Sequence, residues 1–335
     1  MKIIRKNVFD LIWPGLIVLF LLTGCLNNDW EERQKEETDI LVKHIENLRS
    51  QGLNIETREV LGYDMYYLLL GSDPDTGTTP ELNDYVIIDY IRRDLDGNII
   101  FTNMNSMAGS WDVYKSYPET YSHYLFEPLK MIFGYNTPGF NYGMSQMEEG
   151  DTARFYVPSA LAFGDFVTIV DEVILYKIIT NITAYDSLQV DRYRAENGID
   201  SSMYLADAGI FYWETSHGND TIEFSANDSL VIRFRASYFQ EDNLIVFDSN
   251  WESSTGVAIP ASKAKVEGYT PRGGAPFTKG FAAAIDTLAV GTQATMIVPY
   301  PQGYGVNGLI YSSPQYPIVP PYTSLVYNIE VLDVK

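Results

Sequence analysis

The sequence is poor in residues that carry nucleophilic or metal chemistry. Its 335 residues include one cysteine, Cys25, and three scattered histidines, His44, His123 and His217. A single cysteine excludes any disulfide within the chain, and the histidines lack the spacing typical of a metal site. No G-x-S-x-G elbow is present. We therefore expect no cofactor, no metal and no nucleophilic hydrolysis.

Positive charge is also scarce. The chain has 23 Lys and Arg against 44 Asp and Glu, a net charge of −21, and no Lys/Arg cluster beyond the first six residues. Such a chain offers phosphates no surface that would release counterions. Nucleic acid is therefore excluded as an expected partner.

The amino terminus has the pattern of a targeting segment. Lys2, Arg5 and Lys6 precede the apolar run 11–22, and the sequence Leu-Thr-Gly-Cys ends at Cys25. It resembles a bacterial lipobox, which implies a signal peptide at 1–24, lipid on Cys25 and membrane attachment. The alternative, a transmembrane anchor, fits poorly because the run is short for a spanning helix. We expect a lipid-anchored protein of the cell envelope at the outer membrane, on its periplasmic or surface face.

The rest of the chain indicates a duplication. Helical spacing of apolar residues at 38–50, ended by Gly52, returns more weakly at 186–197, ended by Gly198, which lies 146 residues after Gly52. Aromatic strands follow both helices, and alternation at 86–90 and 230–234 predicts a half-buried strand in each copy. Two copies of strands around one short helix predict an α+β fold.

These patterns divide the chain into a tether and N-terminal helix at 25–53, a first domain at 54–185, a connector helix at 186–200 and a second domain at 201–335. The first domain has the longer link between its hairpin and its helix. It holds the tyrosine-rich run YKSYPETYSHYLFEPL.

The second copy resembles the FKBP-type peptidyl-prolyl cis-trans isomerases over about 110 residues. The resemblance is carried by LVIRF, VFDS, FTKGFAAAI, LAVG, MIVP, GYG and VPPYTSLVYNIEVL, in that order. It implies two FKBP-like domains, each a twisted antiparallel sheet wrapped around a short helix, with connecting helices.

Matched position by position, the resemblance implies a prolyl pocket in the second copy. Its catalytic set is Phe247, Asp248, Phe281, Tyr304 and Tyr327, and its substrate-binding set is Phe234, Phe277, Thr278 and Val319. Phe281 replaces the family's tryptophan floor, and Tyr304 matches the tyrosine that hydrogen-bonds a ligand carbonyl. Val319, with Pro320 and Pro321 after it, matches the flap over the site.

The first copy aligns with the same aromatic set but lacks the polar groups. Its degenerate site comprises Tyr90, Phe101, Phe140, Phe163 and Tyr176. Thr102 stands at the acidic position, Phe163 replaces the hydrogen-bonding tyrosine, and the flap is shortened. We expect this copy to serve packing or peptide contact.

The expected function is therefore isomerisation of Xaa-Pro bonds in unfolded or extended, proline-containing polypeptides, mainly through the second domain. Rotation about such a bond crosses a barrier of about 18 to 20 kcal/mol and needs no nucleophile, so an apolar pocket suits it. Two alternatives stay open: a non-catalytic peptide-binding chaperone or scaffold, and a surface glycan-binding lipoprotein that uses the many tyrosines.

Overall fold

The chain forms two antiparallel sheets, each with a short helix against it. The computed structural model describes residues 9–335 apart from 73–76, 105, 108–126, 220–224, 242, 272–273 and 313–314, and only the backbone of 9–28, 286 and 311–317. We call 56–179 the first lobe and 204–334 the second lobe. The predicted α+β class is confirmed.

The first lobe follows a long helix. The elements in chain order are α1 (Phe9–Ser50), β1 (Glu56–Val60), β2 (Tyr63–Gly71), β3 (Tyr85–Arg93), β4 (Ile99–Thr102), β5 (Leu129–Ile132), α2 (Pro138–Ser145), β6 (Thr152–Val157) and β7 (Ile169–Ile179).

A connector helix leads to the second lobe. Its elements are α3 (Ile182–Glu196), β8 (Tyr204–Leu205), β9 (Ile210–Ser216), β10 (Ser229–Gln240), β11 (Asn243–Ser249), β12 (Val257–Pro260), α4 (Lys263–Val266), α5 (Lys279–Ala283), β13 (Gln293–Val298), β14 (Leu309–Ser312), β15 (Gln315–Val319) and β16 (Leu325–Val334).

The two sheets have the same topology. The first runs β1-β2-β6-β7-β3-β4 with β5 beside β3, and the second runs β8-β9-β13-β16-β10-β11 with β12 beside β10. In the second lobe, β14 and β15 form an additional hairpin. Identical strand order and the same side strand support the duplication read from the sequence.

Local hydrogen bonds repeat as well. Asn103 accepts from the backbone N–H of Tyr90 at 2.7 Å, and Asn250 accepts from that of Phe234 at 2.6 Å. Each asparagine follows the hairpin strand of its lobe and ties it to the central strand. The same short motif therefore fixes the hairpin in both lobes.

The prediction of half-buried strands is wrong for β3. Val86, Ile88 and Tyr90 lie in the core of the first lobe, but Tyr85 and Ile87 on the opposite face are buried too. That face packs against residues of α3 and the second lobe. The alternation of apolar and polar residues within one strand does not show whether another element covers its second face.

Carboxylates on the two long helices attach them to the lobes. Glu37 of α1 accepts from the backbone N–H of Ser159 at 2.7 Å and from the Thr168 hydroxyl at 2.9 Å. Asp186 of α3 accepts from the N–H and hydroxyl of Ser324 at 2.7 and 2.6 Å. The predicted helices at 38–50 and 186–197 lie in α1 and α3, apart from Asn197, the C-cap of α3.

The side chains of the amino-terminal segment, Cys25 among them, lie outside the described part of the chain. Within the part that is described, no helix is both long enough and apolar enough to cross a membrane.

The lobes share an apolar contact. Ile99 and Phe101 of β4 pack against the core of the second lobe, and Phe101 also packs in the core of its own lobe. Gln240 donates to the backbone carbonyl of Pro128 at 3.3 Å. Phe101 therefore links the two candidate sites described next.

Candidate functional site

An aromatic cluster fills the concave side of the second sheet. The rings of Phe277 and Phe281 stack at 4.0 Å, and that of Tyr327 lies 5.0 Å from Phe281. Phe234 meets Phe277 edge-on at 5.1 Å, and Phe247 is fully buried nearby. The structure thus brings together Phe247, Phe281 and Tyr327 of the predicted catalytic set with Phe234 and Phe277 of the predicted substrate-binding set.

Helix α5 aims Phe281 into this cluster. Thr278 caps the helix by accepting from the Phe281 N–H at 3.3 Å. Gly280 lies so close to β13 that an added Cβ would stand 2.5 Å from Val298 Cγ1. Close packing of a short helix on the sheet explains the glycine here.

Asp248 lies at the edge of the cluster. Its carboxylate accepts from the Ala275 N–H at 2.8 Å and is only 6% exposed. Burial raises the pKa of the Asp248 carboxyl, and the backbone N–H groups of Ala275 and Ser249 oppose that rise. An added Cβ on Gly274 would stand 2.4 Å from this carboxylate, so the two segments are closely packed.

Tyr304 supplies the second polar group. Its ring lies 5.9 Å from Phe247, and its hydroxyl donates to the backbone carbonyl of Pro276 at 2.7 Å. Asp248 and Tyr304 therefore both contact the backbone of 275–276, which runs along the mouth of the cluster just before α5.

The Tyr327 hydroxyl points into the same region. It is buried, and burial raises its pKa, while the hydroxyls of Thr278 and Tyr304 oppose the rise. Neither of these hydroxyls meets the geometry of a hydrogen bond to it. The hydroxyl of Tyr327 thus adds a buried polar atom to the cluster.

The flap residue Val319 closes the cluster from above. It is fully buried at the end of β15 and belongs to the same core as Phe247 and Phe281. Every predicted member of the second-lobe site is therefore in one place.

Sequence reasoning missed two residues of this region. Tyr238 is buried 6.4 Å from Phe247, and Asn250 holds the end of the hairpin on which Asp248 stands. Tyr238 could have been found from its period-2 spacing after Phe234 on β10. Asn250 could have been found from its counterpart Asn103.

Two residues of the first lobe are aligned with the wrong partners in the second lobe. The first is Tyr176, which the sequence paired with Tyr327. Arg92 and Ala236 hold the same place on the central strands, opposite Asp171 and Tyr327 respectively. Asp171 is therefore the counterpart of Tyr327. Tyr176 is 42% exposed outside the core, because the last strand begins earlier than the aligned aromatics suggested.

The second wrongly aligned residue is Phe101, which the sequence paired with Phe247. It lies opposite Arg92, whereas Asp248 lies opposite Ala236, so Phe101 replaces the acid and not Phe247. Thr102 consequently stands one position beyond the acidic one. Matching by residue type alone paired Phe101 with Phe247 and therefore missed this shift of one position.

In the first lobe an ion pair occupies the places that Ala236 and Tyr327 have in the second lobe. Arg92 donates to both oxygens of Asp171, at 2.7 and 2.9 Å, and both residues are buried. The rings of Tyr90, Phe140 and Phe163 lie 5.2 to 5.8 Å from the guanidinium carbon. A guanidinium thus fills the space between the aromatics.

Phe163 is the most open of these residues, at 56% exposure. Tyr90 stacks on Phe101 at 4.9 Å, and Phe140 meets Tyr90 edge-on at 5.7 Å. Four of the five predicted aromatics are therefore close together, around a charge. In the described residues, no three His, Cys, Asp or Glu side chains are grouped so as to hold a metal.

Comparison with known proteins bears on the second lobe. Residues 221–332, about a third of the chain, match the family of FKBP-type peptidyl-prolyl cis-trans isomerases. Among curated proteins, none is similar enough to this chain to count as a match. The family match spans the lobe with the complete aromatic cluster.

Solved structures of related architecture are similar only at low identity. The three FKBP domains of wheat FKBP73 are 14% identical, with 84% of this chain and 99% of that chain covered and a TM-score of 0.30. A peptidyl-prolyl isomerase of Pseudomonas syringae pv. tomato is 20% identical, covering 47% and 97%, with a TM-score of 0.33. Escherichia coli FkpA is 16% identical, covering 52% and 74%, with a TM-score of 0.31.

At these scores the assignment rests on the matched segment and on the cluster it contains. The expectation of a peptidyl-prolyl cis-trans isomerase is confirmed at the level of the family. The second lobe is an FKBP-type peptidyl-prolyl cis-trans isomerase domain.

Proposed function

We propose that the chain isomerises Xaa-Pro bonds of exported, unfolded or extended polypeptides through its second lobe. The observation that carries this proposal is one buried aromatic cluster with two polar groups, Asp248 and Tyr304, at its edge. Apolar walls and a few oriented polar atoms suffice for a reaction that breaks no covalent bond.

The physical reason lies in the amide itself. A planar Xaa-Pro amide carries more charge separation than the twisted transition state, so moving it from water into an apolar pocket favours the twist. Phe247, Phe281 and Tyr327 would hold the pyrrolidine ring while the acyl group rotates. Each tenfold in rate needs only about 1.4 kcal/mol of differential stabilisation.

The polar groups would orient the substrate by exchanging partners. Tyr304 now donates to the carbonyl of Pro276, and Asp248 accepts from Ala275. A substrate carbonyl could replace that of Pro276 on the Tyr304 hydroxyl at little cost, since one hydrogen bond substitutes for another. The segment 275–276 would then move away from the mouth of the pocket.

For the first lobe we propose a role without turnover. The paired charges of Arg92 and Asp171 occupy the position where the second lobe has Ala236 and Tyr327. A prolyl ring would have to displace a buried, bidentate ion pair, which is unfavourable. We keep 54–185 as a degenerate domain for packing or peptide contact and 201–335 as the catalytic one.

We further propose that the mature chain is lipid-anchored through Cys25 in the cell envelope. The lipobox-like residues before Cys25 support this, and the acidic run after it would suit a solvated tether. Incorporation of a radiolabelled fatty acid into the full chain, and its absence from a Cys25→Ser variant, is the expected result. Equal labelling of both would contradict it.

The activity test uses the chain from Asp29 to Lys335 and an Xaa-Pro peptide, with exchange followed by NMR. We expect clear acceleration, and about a fivefold loss in Tyr304→Phe, which removes one hydrogen bond of about 1 kcal/mol. Tyr204→Phe, an exposed tyrosine of β8, is the matched control and should keep the activity. No acceleration at micromolar protein would refute the proposal.

One observation favours a second candidate, a non-catalytic peptide-binding chaperone. In this conformation Asp248 and Tyr304 are already bonded within the chain, and Phe281 and Tyr327 are almost fully buried. Suppression of client aggregation that survives Tyr304→Phe, without any isomerase activity, would support this alternative.

A further inference from the structure

The residues that follow the flap are held from outside the second lobe. The flap, Val319 to Pro321, is joined to β16 by 322–324. Tyr322 meets Tyr85 of β3 at 5.7 Å, and Ser324 donates twice to Asp186 of α3. The first lobe and the connector helix therefore both contact the base of the flap.

The most direct of these contacts comes from Lys130 of β5. Its ammonium donates to the Thr323 hydroxyl at 2.5 Å, and that hydroxyl donates to the carbonyl of Pro321 at 2.9 Å. Lys130 is only 6% exposed. Burial of an ammonium is costly, so its bonded partner fixes where it lies.

We propose that Lys130 is a positioning residue for the prolyl site, and that the first lobe sets the flap through Lys130, Thr323 and Pro321. Val319, two residues before Pro321, is part of the pocket core. A shift at Pro321 is thus transmitted to the residue that covers the aromatic cluster. The inference rests on the proposed function, since flap position affects catalysis only if this site is catalytic.

The protonation of Lys130 should make the opening of the flap depend on pH, which can be measured. Burial lowers the pKa of its ammonium to about 8, and Asp186 opposes the shift. Tyr185 of α3 lines a cavity together with Lys130, and its hydroxyl donates to Glu241 just after β10. Tyr85 of β3 and Tyr322 lie in the same apolar cluster as Tyr185.

Opening of the flap would expose the ammonium to water and return its pKa toward the ordinary value of 10.5. At a pH between these two pKa values, Lys130 is therefore less protonated when the flap is closed than when it is open. Raising the pH from 7 to 9 must then favour closure, by at most about tenfold if opening fully solvates Lys130.

Hydrogen exchange in the full chain, at the backbone amides of Ile318, Val319, Tyr322, Thr323 and Ser324, tests this directly. After correction for the intrinsic base-catalysed rate, flap opening should fall by up to about tenfold from pH 7 to pH 9. Lys130→Met should abolish the change. Lys177→Met, a partly exposed lysine paired with Glu149, is the matched control and should keep it. A wild-type response that persists in Lys130→Met would overturn the proposal.

A second pair of variants connects the flap to catalysis. Thr323→Val removes the acceptor for Lys130 and should raise KM for the peptide about five- to tenfold, with a smaller effect on kcat. Thr323→Ser keeps the hydroxyl and should have the KM of the wild type. Unchanged KM and unchanged flap exchange in Thr323→Val would refute the coupling. If flap exchange follows Lys130 but the wild type catalyses nothing, the proposed function fails and the structural coupling stands.

Discussion

The buried ion pair of the first lobe makes a quantitative prediction. Arg92→Met leaves the Asp171 carboxylate buried without its partner, and Asp171→Leu leaves the guanidinium likewise. Each single variant should lose about 3 to 5 kcal/mol of the free energy of unfolding. The double variant should lie within about 1 kcal/mol of the wild type, because no uncompensated charge remains.

The second lobe supports this reasoning, since Ala236 and Tyr327 occupy the same paired positions without charge. The salt bridge of Arg154 to Glu172 on β6 and β7 is the control. These side chains are about a third exposed, so Arg154→Met should cost no more than about 1 kcal/mol.

Urea unfolding is the assay, with hydrogen exchange of β7 amides to assign the transition, because two lobes can unfold in separate steps. The single variants should shift the first-lobe transition and the double variant should restore it. A double variant as unstable as the sum of the two singles would refute the reasoning. It would mean that the two side chains stabilise the lobe independently and not as a charge pair.

Three further predictions concern the helices and the site. Gly280→Ala should lose about 1 to 3 kcal/mol of unfolding free energy in urea titrations, because its Cβ would overlap Val298. Asp248→Asn should melt above the wild type at pH 7. Because burial raises the pKa of this carboxyl, the carboxyl stabilises the folded state below the pKa that it has in the unfolded chain, and this stabilisation is lost as pH rises through its pKa in the folded chain. The difference in melting temperature between the variant and the wild type should therefore close toward pH 4. Glu37→Ala should destabilise the docking of α1 by about 3 kcal/mol and raise hydrogen exchange at the start of β7, whereas the exposed Asp39→Ala should not.

The sequence predicts the second-lobe cluster well because its signals are local. The positions of Phe277, Thr278 and Phe281 follow from one helix start, and Val319 is marked by the two prolines after it. Strand alternation then places Phe234 on the core face of β10. Each of these inferences needs only a short window of sequence.

The first lobe was harder to predict because its register depends on pairing between distant strands. Arg92 and Asp171 are 79 residues apart and read separately as surface charges. Only the pairing of the strands shows that they stand where the second lobe has Ala236 and Tyr327. An aromatic at 176 looked like the right counterpart of Tyr327, but residue type alone cannot detect a strand that starts earlier.

Contacts between the lobes could not be predicted from the sequence either. Lys130 is the one charged residue of the short, otherwise apolar strand β5, and Thr323 lies after the flap. Their hydrogen bond spans 193 residues. A lysine becomes informative only when its ammonium is seen to be buried against one acceptor.

The first lobe contacts the second lobe through residues that lie outside its own ion pair. Arg92 and Asp171 stand where the second lobe has Ala236 and Tyr327, and the same sheet presents Phe101 and Lys130 to the second lobe. Phe101 stands where the second lobe has Asp248, and it packs against the second-lobe core. If Lys130 sets the flap as proposed, the first lobe acts on the prolyl site through its position alone. Its loss would then weaken substrate binding without removing any group that touches the prolyl ring.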